Sequence, residues 1–112
     1  MARILLGPSL QTTPPNFSSF VTRVLTLTIF GVAQQVTSQV VPDGIAVVFR
    51  NHINNGFTSR IYIAYSSSAI LSAADRITLE RGASTELKLS NTNLVWWDGS
   101  SSGVQLEILT EV

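Results

Sequence analysis

The chain has 112 residues, the size of one domain, with 45% hydrophobic and 12% charged residues, seven basic against seven acidic. So large an apolar share excludes disorder over most of the length, and charges scattered singly around a net of zero leave no electrostatic footprint for nucleic acid or an anionic membrane. Cysteine is absent, which excludes disulfide frameworks and thiolate chemistry.

Residues 1–19 contain Pro8, Pro14 and Pro15, which exclude regular helix. Ile4, Leu5, Leu6, Leu10 and Phe17 are too apolar for a solvated linker. Three readings stand: a first strand or arm folded back on its own domain, an arm that docks on a neighbouring subunit, or a frayed terminus. The apolar run before Gly7-Pro8 is about half the length of a signal-peptide core, so export is not expected. No run approaches the ~20 apolar residues of a membrane span.

From Phe20 the pattern has period two. Phe20–Phe30 places Val21, Leu25, Leu27 and Ile29 on one face and Thr22, Thr26 and Thr28 on the other, which predicts a strand. A weaker strand is predicted over Gln34–Val40, with Val36 and Val40 on one face. Val41-Pro42-Asp43-Gly44 is a turn, with proline presetting φ and glycine free to take a positive one. Ile45–Asn51 reads as a strand apolar on both faces, Ile45, Val47 and Phe49 against Ala46 and Val48. The polar loop 51–56 ends in an Asn-Gly turn signal. Arg60–Tyr65 follows, with Ile61, Ile63 and Tyr65 opposite Tyr62 and Ala64.

Ser66–Asp75 is the longest connection and holds either one helical turn near Ala69–Ala74 or a loop that plugs the core. Arg76–Glu80 turns Ile77 and Leu79 inward, Arg81-Gly82 reverses the chain, and Ser84–Leu89 sets Leu87 and Leu89 in against Glu86 and Lys88 out. Asn91-Thr92-Asn93 turns into Leu94–Asp98, a tip spans 98–103, and Val104–Thr110 closes with Val104, Leu106 and Ile108 inward. About eight short strands, spaced by turn residues, predict an all-β antiparallel sandwich of jelly-roll type over 20–112, preceded by an extended arm over 1–19.

Catalytic, cofactor and metal chemistry find no foothold. His52 is alone, with no second His or any Cys to complete a metal site and no orienting partner for a nucleophilic serine. The acidic residues are dispersed, and the glycines stand singly in turns rather than in a phosphate-cradling loop. The unusual local feature is Trp96-Trp97. Neighbours on a strand point to opposite faces, so one indole enters the core and the other does not. That second indole belongs to a strand covered on both sides, to a subunit interface, or to a carbohydrate-stacking platform. With so little charge and two strands apolar on both faces, surplus apolar surface calls for a cover, and self-association in a closed ring is the simplest one.

From Val41 onward the chain resembles a family of small β-sandwich virion proteins of tailed bacteriophages. The matching segments are Val41-Pro42-Asp43-Gly44-Ile45-Ala46-Val47-Val48, Asn54-Asn55 before Arg60-Ile61-Tyr62-Ile63-Ala64, Leu79-Glu80-Arg81-Gly82-Ala83-Ser84, Leu94-Val95-Trp96-Trp97-Asp98 and Gly103-Val104-Gln105-Leu106-Glu107-Ile108. Arg81 stands where the family has proline and Ala64 where it has glycine, and residues 1–40 have no counterpart. The resemblance implies a capsid decoration (cement) protein, a homotrimer on the virion surface that is made in the host cytoplasm and binds the major capsid protein. Ile4, Leu5, Leu6, Leu10, Phe17, Trp96 and Trp97 are its candidate contacts. The alternative is a tail, fibre or neck module, structural or glycan-binding through Trp, Tyr and the polar loops 51–56 and 98–103. Neither reading requires a cofactor, a nucleic acid or a membrane.

Overall fold

The alternating segments form strands wherever one face meets a core and the other meets solvent. The computed structural model describes residues 20–111; the predicted arm over 1–19, with Ile4, Leu5, Leu6, Leu10 and Phe17, lies outside the described residues. The strands are β1 (Phe20–Thr26), β2 (Gln34–Gln35), β3 (Ala46–Asn51), β4 (Arg60–Ala64), β5 (Ile77–Glu80), β6 (Ser84–Lys88), β7 (Trp96–Gly99) and β8 (Gln105–Glu111). They build two antiparallel four-stranded sheets, ordered β1-β8-β3-β6 and β2-β7-β4-β5. The chain changes sheet at every connection except β4 to β5, which makes an eight-stranded jelly roll.

The core lies between the sheets. Val47, Phe49, Leu106 and Ile108 from the first sheet face Ile61, Ile63, Leu79 and Trp97 from the second, with Val95 just ahead of β7, all nearly inaccessible to solvent. Burying each such side chain contributes roughly 1.5–3 kcal/mol. Registers such as Phe49 opposite Ile108 and Ile63 opposite Trp97 keep the inward faces aligned across each sheet. Gly99 sits where a Cβ would collide with the Val104 and Leu27 side chains, so β7 approaches the β7–β8 turn closely at that point.

Several expectations are corrected by the way the chain passes between sheets. β1 ends at Thr26 rather than Phe30. Leu27 donates to the Val104 carbonyl and accepts from Gly103, and Gly31 turns with φ 87, so Ile29 and Phe30 stand in solvent instead of sharing the inward face. The predicted Gln34–Val40 strand shrinks to two residues. Beyond it the Asn91 Oδ1 accepts from Ser38 Oγ and the Gln39 amide, which bends the chain and breaks the parity. Val36 and Val41 consequently enter the core while Val40 is 69% exposed. Tyr65 lies past the end of β4 and is exposed, Ile77 on an edge strand is partly exposed, and Leu94 belongs to a 3-10 turn (Thr92–Leu94) rather than to β7. The turn expected over Val41–Gly44 forms one residue later, over Pro42–Ile45, with Ile45 donating to the Pro42 carbonyl and Gly44 at φ 81.

The connection from Ser66 to Asp75 takes the helical-turn form, shorter than Ala69–Ala74, and does not enter the central core. It holds a single 3-10 turn, Ala69–Leu71, packed against β4 and β7. Ile70 is buried there outside the central core, and the Arg76 guanidinium donates to its carbonyl at 2.8 Å. Arg76 also lies 3.8 Å from the centre of the Tyr62 ring, a cation–π contact on the outer side of the second sheet.

Candidate functional site

Crossing between sheets sorts the connections to two ends. One end, here the loop end, gathers the β1–β2 connection, the β3–β4 connection, the β5–β6 turn and the β7–β8 turn. The other, the far end, gathers the remaining three connections together with the start of β1 and the end of β8, since Phe20 pairs with Glu111.

Asn51 and Asn55 hold the loop end together. Asn51 is fully buried; its Nδ2 donates to the Ser59 carbonyl at 3.0 Å and the Leu79 carbonyl at 2.8 Å, and its Oδ1 accepts from Asn55 Nδ2 at 2.6 Å. Asn55 also donates to the Gln105 carbonyl and accepts from the Gln105 amide, both at 2.8 Å. One pair of side-chain amides thereby ties the β3–β4 loop to β5 and β8. Backbone bonds add the β5–β6 turn, where Asn51 donates to Ala83 and Gly82 donates to the Asn51 carbonyl. Phe30 donates to Ser102 Oγ at 3.2 Å and Gly31 to Asp98 Oδ1 at 3.0 Å, which fixes the β1–β2 loop on the same end.

His52 serves this scaffold: its Nδ1 accepts from the Asn54 amide at 3.0 Å and its own amide donates to the Gln105 carbonyl. Among the described residues no three His, Asp or Glu side chains gather into a metal-holding group. Two arginines are held in ion pairs. Arg50 pairs with Glu107 at 2.7 Å and Arg60 with Glu80 at 2.8 Å. The Arg50 hydrogen bond holds the Glu107 carboxyl below the usual carboxylate range. Arg23 points inward from β1, donating to the Thr37 carbonyl and Thr92 Oγ1, and burial lowers its pKa.

Of the two indoles, Trp97 is 1% exposed and belongs to the core, so it has no surface to offer a partner; its candidacy as a contact is corrected on that ground. Parity decides it, because Val95, two residues earlier, is also fully buried. Trp96 is half-buried on the outer side of the second sheet, level with Ala64 and Gln35.

Exposed apolar side chains concentrate at both ends. The far end carries Val40, Tyr65, Leu71 and Leu94, the last two next to the strand of Trp96. The loop end carries Ile29, Phe30, Val32, Ile53 and Phe57, of which Phe57 is 83% exposed with the Arg81 guanidinium 4.9 Å from its ring centre. Between the β3–β4 and β7–β8 loops runs an open groove of about 300 Å³. The two polar loops that the sequence shows 50 residues apart are thus its two walls. Phe57 and the Ile29–Phe30 tip were not singled out from sequence, although each adjoins a glycine, Gly56 and Gly31.

No family model matches this chain, and no curated protein matches it. Among solved structures it is similar to a subunit described with the words "Bacillus endospore appendages form a novel family of disulfide-linked pili", at 14% identity and TM-score 0.40, covering 91% of this chain and 97% of that one. It is also similar to PirA, at 13% identity and TM-score 0.43, covering 81% of this chain and 93% of that one.

Proposed function

We propose that this protein is a non-enzymatic structural component of a virion, a capsid decoration protein that acts as a homo-oligomer, with a trimer as the expected state. The observation that carries this reading is the far end. Val40, Tyr65, Leu71 and Leu94 are 69, 63, 76 and 48% exposed there, beside half-buried Trp96 and the point where residues 1–19 join β1. A described body with so few charges gains by covering such a patch, and aromatic and aliphatic anchors of this kind make interface centres. Each contact of a trimer with a repeating shell is weak alone, and three on one particle gain by avidity. The jelly-roll topology is one that capsid and lectin domains share, so the choice rests on the surface and not on the fold.

The test is sedimentation of the full chain, followed by binding to expanded capsid shells of a tailed phage. The expected result is a closed small oligomer that co-sediments with shells. The double variant Tyr65→Ser, Leu71→Ser is expected to lose both behaviours while keeping its unfolding midpoint. A protein that stays monomeric at high concentration and ignores shells overturns the reading. Copy number per particle separates shell from neck or tail: hundreds favour the shell, a dozen or fewer a neck or tail part.

A further inference from the structure

We infer that the groove between the β3–β4 and β7–β8 loops is a binding site for a neutral carbohydrate. The lining contains no ionisable side chain: it is made of asparagine, serine, glycine, a glutamine and one valine. Its floor is rigid. Asn55 is locked by three hydrogen bonds to Asn51 and Gln105, Ser59 donates its amide to the Gly56 carbonyl, and the β7–β8 turn is held by Ser100 to the Arg60 carbonyl and by Gly103 to the Leu27 carbonyl. Its rim is free. Among the described residues the side-chain amides of Asn54 and Gln105 and the hydroxyl of Ser101 have no hydrogen-bond partner, and Ser102 Oγ, which accepts from Phe30, keeps its own proton to donate.

Amides and hydroxyls both donate and accept, which matches the hydroxyls of a sugar, each of which also does both. An anionic ligand such as a phosphate calls for cations, and the lining has none. A peptide needs apolar pockets for its side chains or a free strand edge. Here the one apolar lining residue, Val104, is itself 4% exposed. At about 300 Å³ the groove lies at the small end of ligand clefts, suited to one or two sugar rings. Phe57, next in sequence to the lining residue Gly56, is 83% exposed, with the Arg81 guanidinium near its ring. The inference does not depend on the assembly proposed above, since the groove lies at the loop end and the proposed contacts at the far end.

The experiment is a two-dimensional amide NMR titration of the full chain with neutral hexose and N-acetylhexosamine oligosaccharides. Glucuronic-acid and sialylated oligosaccharides and a proline-rich peptide serve as comparison ligands. Saturable shifts confined to amides 54–56 and 101–105, produced by a neutral saccharide and weaker or absent with the charged sugars and the peptide, are expected. Gln105→Ala and Asn54→Ala, which leave every backbone bond of the scaffold in place, are expected to weaken binding about three- to tenfold each with an unchanged unfolding midpoint. No shift at these amides at tens of millimolar saccharide, preferential binding of the charged sugars or the peptide, or full affinity in the double variant overturns the inference. Sedimentation of the same samples reports the oligomer separately, so loss of one reading leaves the other measurable.

Discussion

Replacing Asn51 by alanine removes the amide that joins the two sheets at the loop end. The Ser59 and Leu79 carbonyls lose their donor, and Asn55 Nδ2 loses one of its two acceptors. Because the site is fully buried, water does not replace these partners without opening the structure. Each orphaned buried polar group costs about 1–3 kcal/mol, so two carbonyls give a loss of roughly 3–5 kcal/mol once part of the void is included. That is a large fraction of the ~5–15 kcal/mol that holds a typical domain folded. With a urea slope of about 1–3 kcal/mol per molar, the midpoint falls by at least about 1 M. Urea titration followed by the fluorescence of buried Trp97 reads it directly. Asn51→Leu keeps most of the volume but still orphans the carbonyls, so it is expected to remain well below the parent protein. Asn54→Ala, an exposed change in the same loop, is expected to stay within about 0.5 kcal/mol. A loss under about 1 kcal/mol for Asn51→Ala, or full stability of Asn51→Leu, refutes the claim that this amide carries the loop end.

Gly99→Ala drives a methyl group into Val104 and Leu27 and is expected to cost about 1–3 kcal/mol in urea unfolding; combining it with Val104→Ala should recover part of that loss, and strict additivity would count against the packing account. Trp97→Ala is expected to cost about 3–5 kcal/mol and Trp96→Ala distinctly less, with tryptophan emission of the surviving indole red-shifted in the Trp97 variant; equal losses would refute the assignment of Trp97 as the core member. Glu107 has a folded pKa below its unfolded value of about 4.3, so its contribution is present above that value and is lost as pH falls through the lower folded pKa. The pair is partly solvated, with side chains 50 and 18% exposed, so the amount is about 0.2–1 kcal/mol. Urea midpoints for the parent and Glu107→Gln should therefore converge in acid and separate at neutral pH, and a constant gap would sink the assignment.

Strands whose inward side chains alternate without interruption were legible in the sequence. β3, β4 and β8 lie within a residue or two of their expected bounds, because their inward residues keep one parity from end to end. The corners around β2 were not legible. There the chain leaves one sheet for the other, and distant groups, the Val104 carbonyl for Leu27 and the Asn91 side chain for Gln39, decide where alternation stops. The Asn-rich loop misleads in another way. Polarity in a loop suggests solvent, yet Asn51 and Asn55 are buried because carbonyls from β5, β8 and the Ser59 turn satisfy them, and no local pattern announces such partners. The groove has the same origin, its walls noted singly in the sequence and joined by topology. The candidate contacts at Ile4, Leu5, Leu6, Leu10 and Phe17 lie outside the described residues.

The position of β8 between β1 and β3 bears on how the chain is made. Among the described strands β1 leaves the ribosome first, and its neighbour in the sheet is the last of them to appear. β2 likewise waits for β7. Until then both early strands carry unsatisfied edges and β1 an apolar face as well, the condition in which nascent chains stick to one another. Pairing between such remote segments is also intrinsically slow. Recombinant yield should thus respond to translation speed and to chaperones that shield β1 and β2, more than to changes that strengthen the finished sandwich.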